Sequence, residues 1–150
     1  MNVYGVTGWK NAGKTGLMER LVTEITGRGF SVSTVKHAHH SFDVDQPGRD
    51  SHRHRVAGAT EVLLSSGFRW ALMHELRGAA EVPLAELLQK VSPVDLVLIE
   101  GFKAESHEKL ECHRAATGKP LIAQEDASIV CVASDVDVSV SQPVFNLDAT

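Results

Sequence analysis

Gly8-Trp9-Lys10-Asn11-Ala12-Gly13-Lys14-Thr15 fits the phosphate-binding loop pattern G-x-x-x-x-G-K-[ST] at every position. Ahead of it runs Val3-Tyr4-Gly5-Val6-Thr7, short, β-branched and aromatic, which reads as a buried strand. Behind it Leu17, Met18, Leu21, Val22 and Ile25 recur at helical spacing. Strand, glycine loop and helix is the context the motif needs. Gly8 and Gly13 let the backbone turn and approach a phosphate with no Cβ in the way. The loop N–H groups and the helix N-terminus then offer positive partial charge to the anion. Lys14 adds a full charge that reaches the β- and γ-phosphates, and the Thr15 hydroxyl can ligate Mg²⁺. The expected nucleotide-binding set is therefore Gly8, Trp9, Lys10, Asn11, Ala12, Gly13, Lys14 and Thr15.

The 150 residues are expected to form one nucleotide-binding domain, residues 1–150, large enough for a single substantial core. Hydrophobic content of 43% and charged content of 23% are ordinary for a globular protein. A formal charge of −4 gives no general basic field, so nucleic acid is not an expected partner. No apolar run approaches the ~20 residues of a membrane span. Strand and loop begin at once, leaving no room for a signal peptide, and a cytoplasmic location is expected. Cys112 and Cys131 lie in strand-like surroundings and read as reduced, buried thiols.

Met1–Thr7 reads as the first strand and Lys14–Gly27 as a helix ended by Gly27 and Gly29. Phe30–His37 is β-rich, and Ala38–Gly48, polar with Pro47 and Gly48, is a loop. Arg49–Ala57 reads as a short helix opened by Asp50 or Ser51 as N-cap. Thr60–Ser66 and Phe68–Leu76 are strands pairing antiparallel about Gly67. A helix runs from Pro83 to about Val91, broken by Ser92-Pro93. Asp95–Glu100 is a near-continuous apolar strand, and Lys109–His113, Pro120–Ala123, Ser128–Ala133 and Pro143–Leu147 are further strand candidates. The alternation predicts an α/β chain, a three-layer P-loop NTPase fold with a mostly parallel, partly mixed sheet.

Asp95-Leu96-Val97-Leu98-Ile99-Glu100-Gly101 is the second strong signal. A buried strand ending in a carboxylate places that group where open α/β sheets bind ligands. Glu100 is the expected Mg²⁺ holder opposite Thr15, so the metal set is Thr15 and Glu100. Asp95, at the far end of the strand, reads as solvated. In the segment Ala38–Arg55, Asp45 and Asp50 are candidate catalytic acids that hold a metal-bound water or orient an attacking one. Its position after the second strand is where a γ-phosphate-sensing switch sits. Arg49, Arg53 and Arg55 can meet phosphates bidentately, or simply line an exposed helix. His37, His39, His40, His52 and His54 are five of the eight histidines, yet no C-x-x-C or H-E-x-x-H spacing accompanies them.

Taken together these blocks resemble one family. The P-loop is joined by Val35-Lys36-His37, by Asp45-Gln46-Pro47-Gly48-Arg49-Asp50-Ser51 and by His54-Arg55-Val56-Ala57-Gly58-Ala59. Asp95–Lys103 and Lys109-Leu110-Glu111-Cys112-His113-Arg114 complete the series. The chain is similar to the molybdopterin-guanine dinucleotide biosynthesis protein B adapters, MobB in short, from Val3 to about Leu147. That resemblance implies a dimeric GTP-binding protein with weak GTPase activity and Mg²⁺ as cofactor. Its implied partners are the guanylyltransferase, protein A of the same pathway, which attaches GMP to molybdopterin, and molybdoenzymes. No Asn-Lys-x-Asp guanine motif is present. Asp135, in Ala133-Ser134-Asp135, either accepts the guanine edge or is a turn residue after a strand. Three rival readings stay open at this stage: a P-loop small-molecule kinase, a nickel-delivering GTPase metallochaperone of the same class, and a binding module that never hydrolyses nucleotide.

Overall fold

The computed structural model describes residues 1–38 and 42–149 and divides into two compact units, Met1–His37 with Leu87–Thr150, and Ala38–Glu86. The first unit carries six strands: β1 (Asn2–Thr7), β2 (Val32–Lys36), β5 (Leu96–Glu100), β6 (Lys109–His113), β7 (Ile129–Ser134) and β8 (Val144–Asn146). They form one sheet in the order β2-β5-β1-β6-β7-β8, and every pairing in it is parallel. The antiparallel part of the chain forms a separate two-stranded sheet of β3 (Glu61–Ser65) and β4 (Trp70–His74). This bears out the α/β, largely parallel expectation.

Helix α1 (Lys14–Gly27) has the expected bounds. Its Leu17 and Met18 are buried with Val6, Leu98 and Cys112, and Leu21, Val22 and Ile25 pack against the same cluster. Full burial of a Leu or Ile contributes about 1.5–3 kcal/mol, so this stripe fastens α1 to the sheet. The helix ends in a Schellman pair. Phe30 N–H reaches Ile25 O at 3.3 Å and Gly29 N–H reaches Thr26 O at 2.9 Å, with Gly29 left-handed. In β5 the apolar run Val97, Leu98 and Ile99 is at most 1% exposed, as a strand flanked on both edges and both faces requires.

Several expectations need correction. Pro120–Ala123 is not a strand but a turn. Glu111, wholly buried in β6, accepts the N–H groups of Ile122 (2.9 Å) and Ala123 (2.8 Å), the donors a strand ladder would have used. The helix after Pro83 is only α3 (Leu84–Leu88), and α2 (Asp50–Val56) takes Arg49 as N-cap with no side-chain capping bond. Asp95 is exposed yet engaged: its carboxylate accepts the Ser31 hydroxyl (2.6 Å) and N–H (2.8 Å), while its own N–H meets Ser31 Oγ at 2.9 Å.

This staple joins the start of β2 to the start of β5 and holds the Asp95 carboxyl below the usual carboxylate range, chiefly through the Ser31 hydroxyl. A carboxyl depressed in the folded state stabilises above its unfolded pKa and loses that contribution as pH falls through its folded value. Asp95→Asn should therefore lower the melting temperature at neutral pH and flatten the acid limb of the stability curve below pH ~4. An acid limb identical to the parent's in thermal melts would sink this assignment.

In the second unit α2 packs on β3. Arg55 is its internal tie, bonded to Asp45 (2.8 Å) and Asp43 (2.9 Å) and 3.5 Å from Glu75. On the β3–β4 hairpin, Leu63 pairs with Leu72 and Ser65 with Trp70. The three apolar members of those pairs are all exposed, and Phe68 at the turn is 97% exposed. Among the described residues, no helix is long and apolar enough to cross a membrane.

Candidate nucleotide site

Because all six strands of the main sheet run the same way, β1, β5, β6 and β7 end at one edge. From that edge emerge the loop 8–13, Glu100, Arg114 and Asp135. β1 sits between β5 and β6, with Val6 in register with both Glu100 and Leu110. A loop leaving a central parallel strand is the ligand position of open α/β sheets.

The loop is built from unusual backbone. Gly8 (φ +138°), Asn11 (φ +66°) and Gly13 (φ +97°) all have positive φ, and Gly13 is the N-cap of α1. Asparagine tolerates this region because its short amide can bond locally. A Cβ on Gly8 would lie 2.4 Å from the Cys112 carbonyl oxygen, so only glycine lets the loop rest on the end of β6. Ala12 is buried and its N–H bonds Trp9 O at 3.2 Å, whereas Lys10, Asn11 and Thr15 are exposed.

Lys14 Nζ donates to the carbonyls of Gly8 (2.9 Å) and Trp9 (2.8 Å), so its ammonium lies over the loop's own backbone. Burial lowers its pKa; Glu100 opposes that shift, while Lys103 and Lys36 add to it. Glu100 is 14% exposed and stands 3.4 Å from Lys36 Nζ. Next to it His37 stacks on Phe102 at 4.6 Å. The Thr15 hydroxyl and the Glu100 carboxylate are hard oxygen donors, few in number. That suits Mg²⁺, which keeps several waters and takes one or two protein ligands.

Trp9 has a role the motif does not announce. Its indole N–H bonds Pro120 O at 2.8 Å, and Lys103 and Lys119 lie 4.5 and 5.7 Å from its ring centre. Two distant segments, at Lys103 and at Lys119-Pro120, thus meet on one loop side chain, and the local pattern holds no sign of it. Asp135 follows β7; it accepts the Ala115 N–H at 2.9 Å and faces Arg114 Nη1 at 3.5 Å. Both cysteines are free, and burial pushes the Cys112 thiol up to about 12.

Asp45 and Asp50 belong to the second unit. The Asp45 side chain is 3% exposed and bound to Arg55, while Asp50 is exposed as the first residue of α2. His39 and His40 lie outside the described residues. Among the described residues no group of three or more His, Cys, Asp or Glu is placed to hold a metal ion.

Residues 3–135 match the model of the family described as molybdopterin guanine dinucleotide synthesis protein B, MobB. The chain belongs to the MobB family. Its curated relatives include the molybdopterin-guanine dinucleotide biosynthesis adapter protein of Haemophilus influenzae, 37% identical over 97% of this chain and 82% of the relative. The Escherichia coli protein of the same name is 36% identical over 93% of this chain and 82% of its own. Among solved MobB structures, a homologue from Bacillus stearothermophilus superposes with a TM-score of 0.73. It is 29% identical and covers 99% of this chain and 89% of that one. MobB from Bacillus subtilis, at 22% identity, gives a TM-score of 0.74 and shares the fold.

Proposed function

We propose that this MobB chain binds GTP with Mg²⁺ at Gly8–Thr15, hydrolyses it slowly, and acts as a cytoplasmic, dimeric adapter. Its partner on this reading is the guanylyltransferase that attaches GMP to molybdopterin, with molybdoenzymes as the final recipients. The observation that carries the reading is the loop geometry. Three positive-φ residues open α1 at the end of a central parallel strand, and Lys14 is folded over them. Residues 1–150 would work as one nucleotide-binding domain. Thr15 and Glu100 would hold the metal, which when bound neutralises charge on the β- and γ-phosphate oxygens. Asp135 is the carboxylate for the guanine edge, in competition with Ala115 and Arg114. Asp45 and Asp50 are the acids that would orient the attacking water, Asp45 by leaving Arg55. The exposed Leu63, Trp70, Leu72 and Phe68 supply apolar surface for a second copy.

Calorimetric titration with GTP and ATP, each with and without Mg²⁺, tests this directly. GTP should bind more tightly than ATP, and Glu100→Gln should keep the fold yet remove most of the Mg²⁺ dependence. A pull-down of a molybdopterin guanylyltransferase should depend on which nucleotide is present. Equal affinity for ATP with rapid phosphoryl transfer to an added acceptor would favour the kinase reading instead.

A further inference from the structure

Directly after β6 the Arg114 guanidinium lies against the loop: a Cβ built on Gly13 would sit 3.5 Å from its Nη2 and 3.7 Å from its Nε. Gly13 is the residue from which the N-terminus of α1 faces an anion. Arg114 already holds carboxylates there. Nη2 donates to Asp148 Oδ1 at 2.7 Å, and Nη1 is 3.5 Å from Asp135 Oδ2. The two differ in their hold. The Asp135 side chain is 20% exposed and also binds the Ala115 N–H, whereas that of Asp148 is 60% exposed.

Asp148 is delivered by an anchored neighbour. Leu147 is wholly buried, its N–H bonds Ser134 O at 2.9 Å, and its carbonyl accepts Arg20 Nη2 at 2.7 Å. The Asp148 N–H is fixed in turn by Asn146 Oδ1 at 2.9 Å. An exposed carboxylate on a guanidinium fork offers the same charge and the same paired oxygens as a phosphate. We propose that Arg114 is a phosphate-contacting residue of this site, and that Asp148 is the internal anion which an incoming nucleotide displaces from it.

The proposal rests on nucleotide binding at Gly8–Thr15 and adds a residue that the loop motif does not contain. Sheet order also says which phosphate is meant. β5 and β6 flank β1 on opposite sides, so Glu100 and Arg114 lie on opposite flanks of the loop. With the metal end at Glu100, Arg114 meets the phosphate nearest the sugar, which GDP and GTP share.

The experiment is calorimetric titration of GDP and of a non-hydrolysable GTP analogue at fixed ionic strength, with thermal melts as a folding control. The proteins are the parent chain, Arg114→Ala, Arg114→Lys, Asp148→Asn and the Arg114→Ala/Asp148→Asn double variant. Arg114→Ala should weaken both nucleotides alike, by about tenfold, as loss of a charge-assisted contact does. Arg114→Lys, which keeps the charge without the fork, should fall between, and it decides the matter if the alanine variant does not fold. Asp148→Asn should tighten both nucleotides several-fold, and should change nothing once Arg114 is gone. Unchanged or weaker binding in Asp148→Asn overturns the proposal, as does an Arg114→Ala variant that weakens only the GTP analogue. A folded parent chain that binds neither nucleotide removes the site reading and this inference together. A parent chain that binds, beside variants that do not differ from it, removes the inference alone.

Discussion

Lys14→Ala should lower GTP affinity at least tenfold. The ammonium already spans two loop carbonyls at 2.8 and 2.9 Å, so it stands where a phosphate lying over the loop would meet it. A charge-assisted contact of that kind is worth roughly 1.5–3 kcal/mol, and 1.4 kcal/mol is about a factor of ten. Burial holds the Lys14 pKa below its ordinary value, while phosphate requires the charged form. Affinity should therefore decline as pH rises toward that lowered pKa, and nucleotide binding there should take up protons. Lys14→Ala removes this alkaline decline along with the affinity. Titration calorimetry in buffers of different ionisation enthalpy reads both effects, and an unchanged dissociation constant in the variant would sink the site assignment.

Gly8→Ala should do more damage, because it strikes the fold and the site together. The added methyl would stand 2.4 Å from the Cys112 carbonyl oxygen, a backbone atom in a fully buried residue of β6 that cannot move aside cheaply. The backbone angle of +138° is one that side-chain-bearing residues rarely adopt. Strain of about 1–3 kcal/mol and a similar overpacking cost together give roughly 2–6 kcal/mol. For a chain of this size, at about 2–4 °C per kcal/mol, that lowers the melting temperature by about 4–24 °C. Relief by lifting the loop off β6 would misplace the N–H groups and abolish nucleotide binding. Gly27→Ala is the control: a Cβ there meets nothing within 4 Å, so it should be neutral or slightly stabilising. Parent-like melting and GTP binding in Gly8→Ala would contradict the loop geometry.

Features of the fold that depend on adjacent residues were legible in the chain. The bounds of α1 follow from its apolar stripe and from Gly13 and Gly29, the buried strand β5 from four apolar residues in a row, and the β3–β4 hairpin from Gly67. What depends on distant partners was not legible. Leu121-Ile122-Ala123 has the composition of a strand, but its donors are taken by Glu111, more than ten residues earlier. Asp95 looked solvated because Ser31 is 64 residues away. Lys109 and Glu111 are charged letters in a strand with no exposure at all. Lys109 is held by the Glu105 carbonyl and Ser128, and Glu111 by the turn it supports. The candidate site divides in the same way. The phosphate loop and Glu100 could be read locally, whereas the gathering of Lys103, Lys119 and Pro120 on Trp9, and of Asp148 on Arg114, exists only once the sheet is assembled.

The bond from the Trp9 indole to the Pro120 carbonyl bears on how the loop would meet the proposed nucleotide. Pro120 leads straight into the turn held by the buried Glu111 carboxylate, so Trp9 is indexed through two hydrogen-bonded steps to the middle of β6. Gly8 touches the end of that same strand. Both sides of the loop entrance are therefore set by one rigid strand rather than by the ligand. Freezing a backbone residue costs about 1–2 kcal/mol in conformational entropy. Here the cost is met during folding, before any anion arrives. On the proposed reading, association would draw on a preorganised cradle, and the contact energy of the phosphates would go into affinity instead of into ordering the loop.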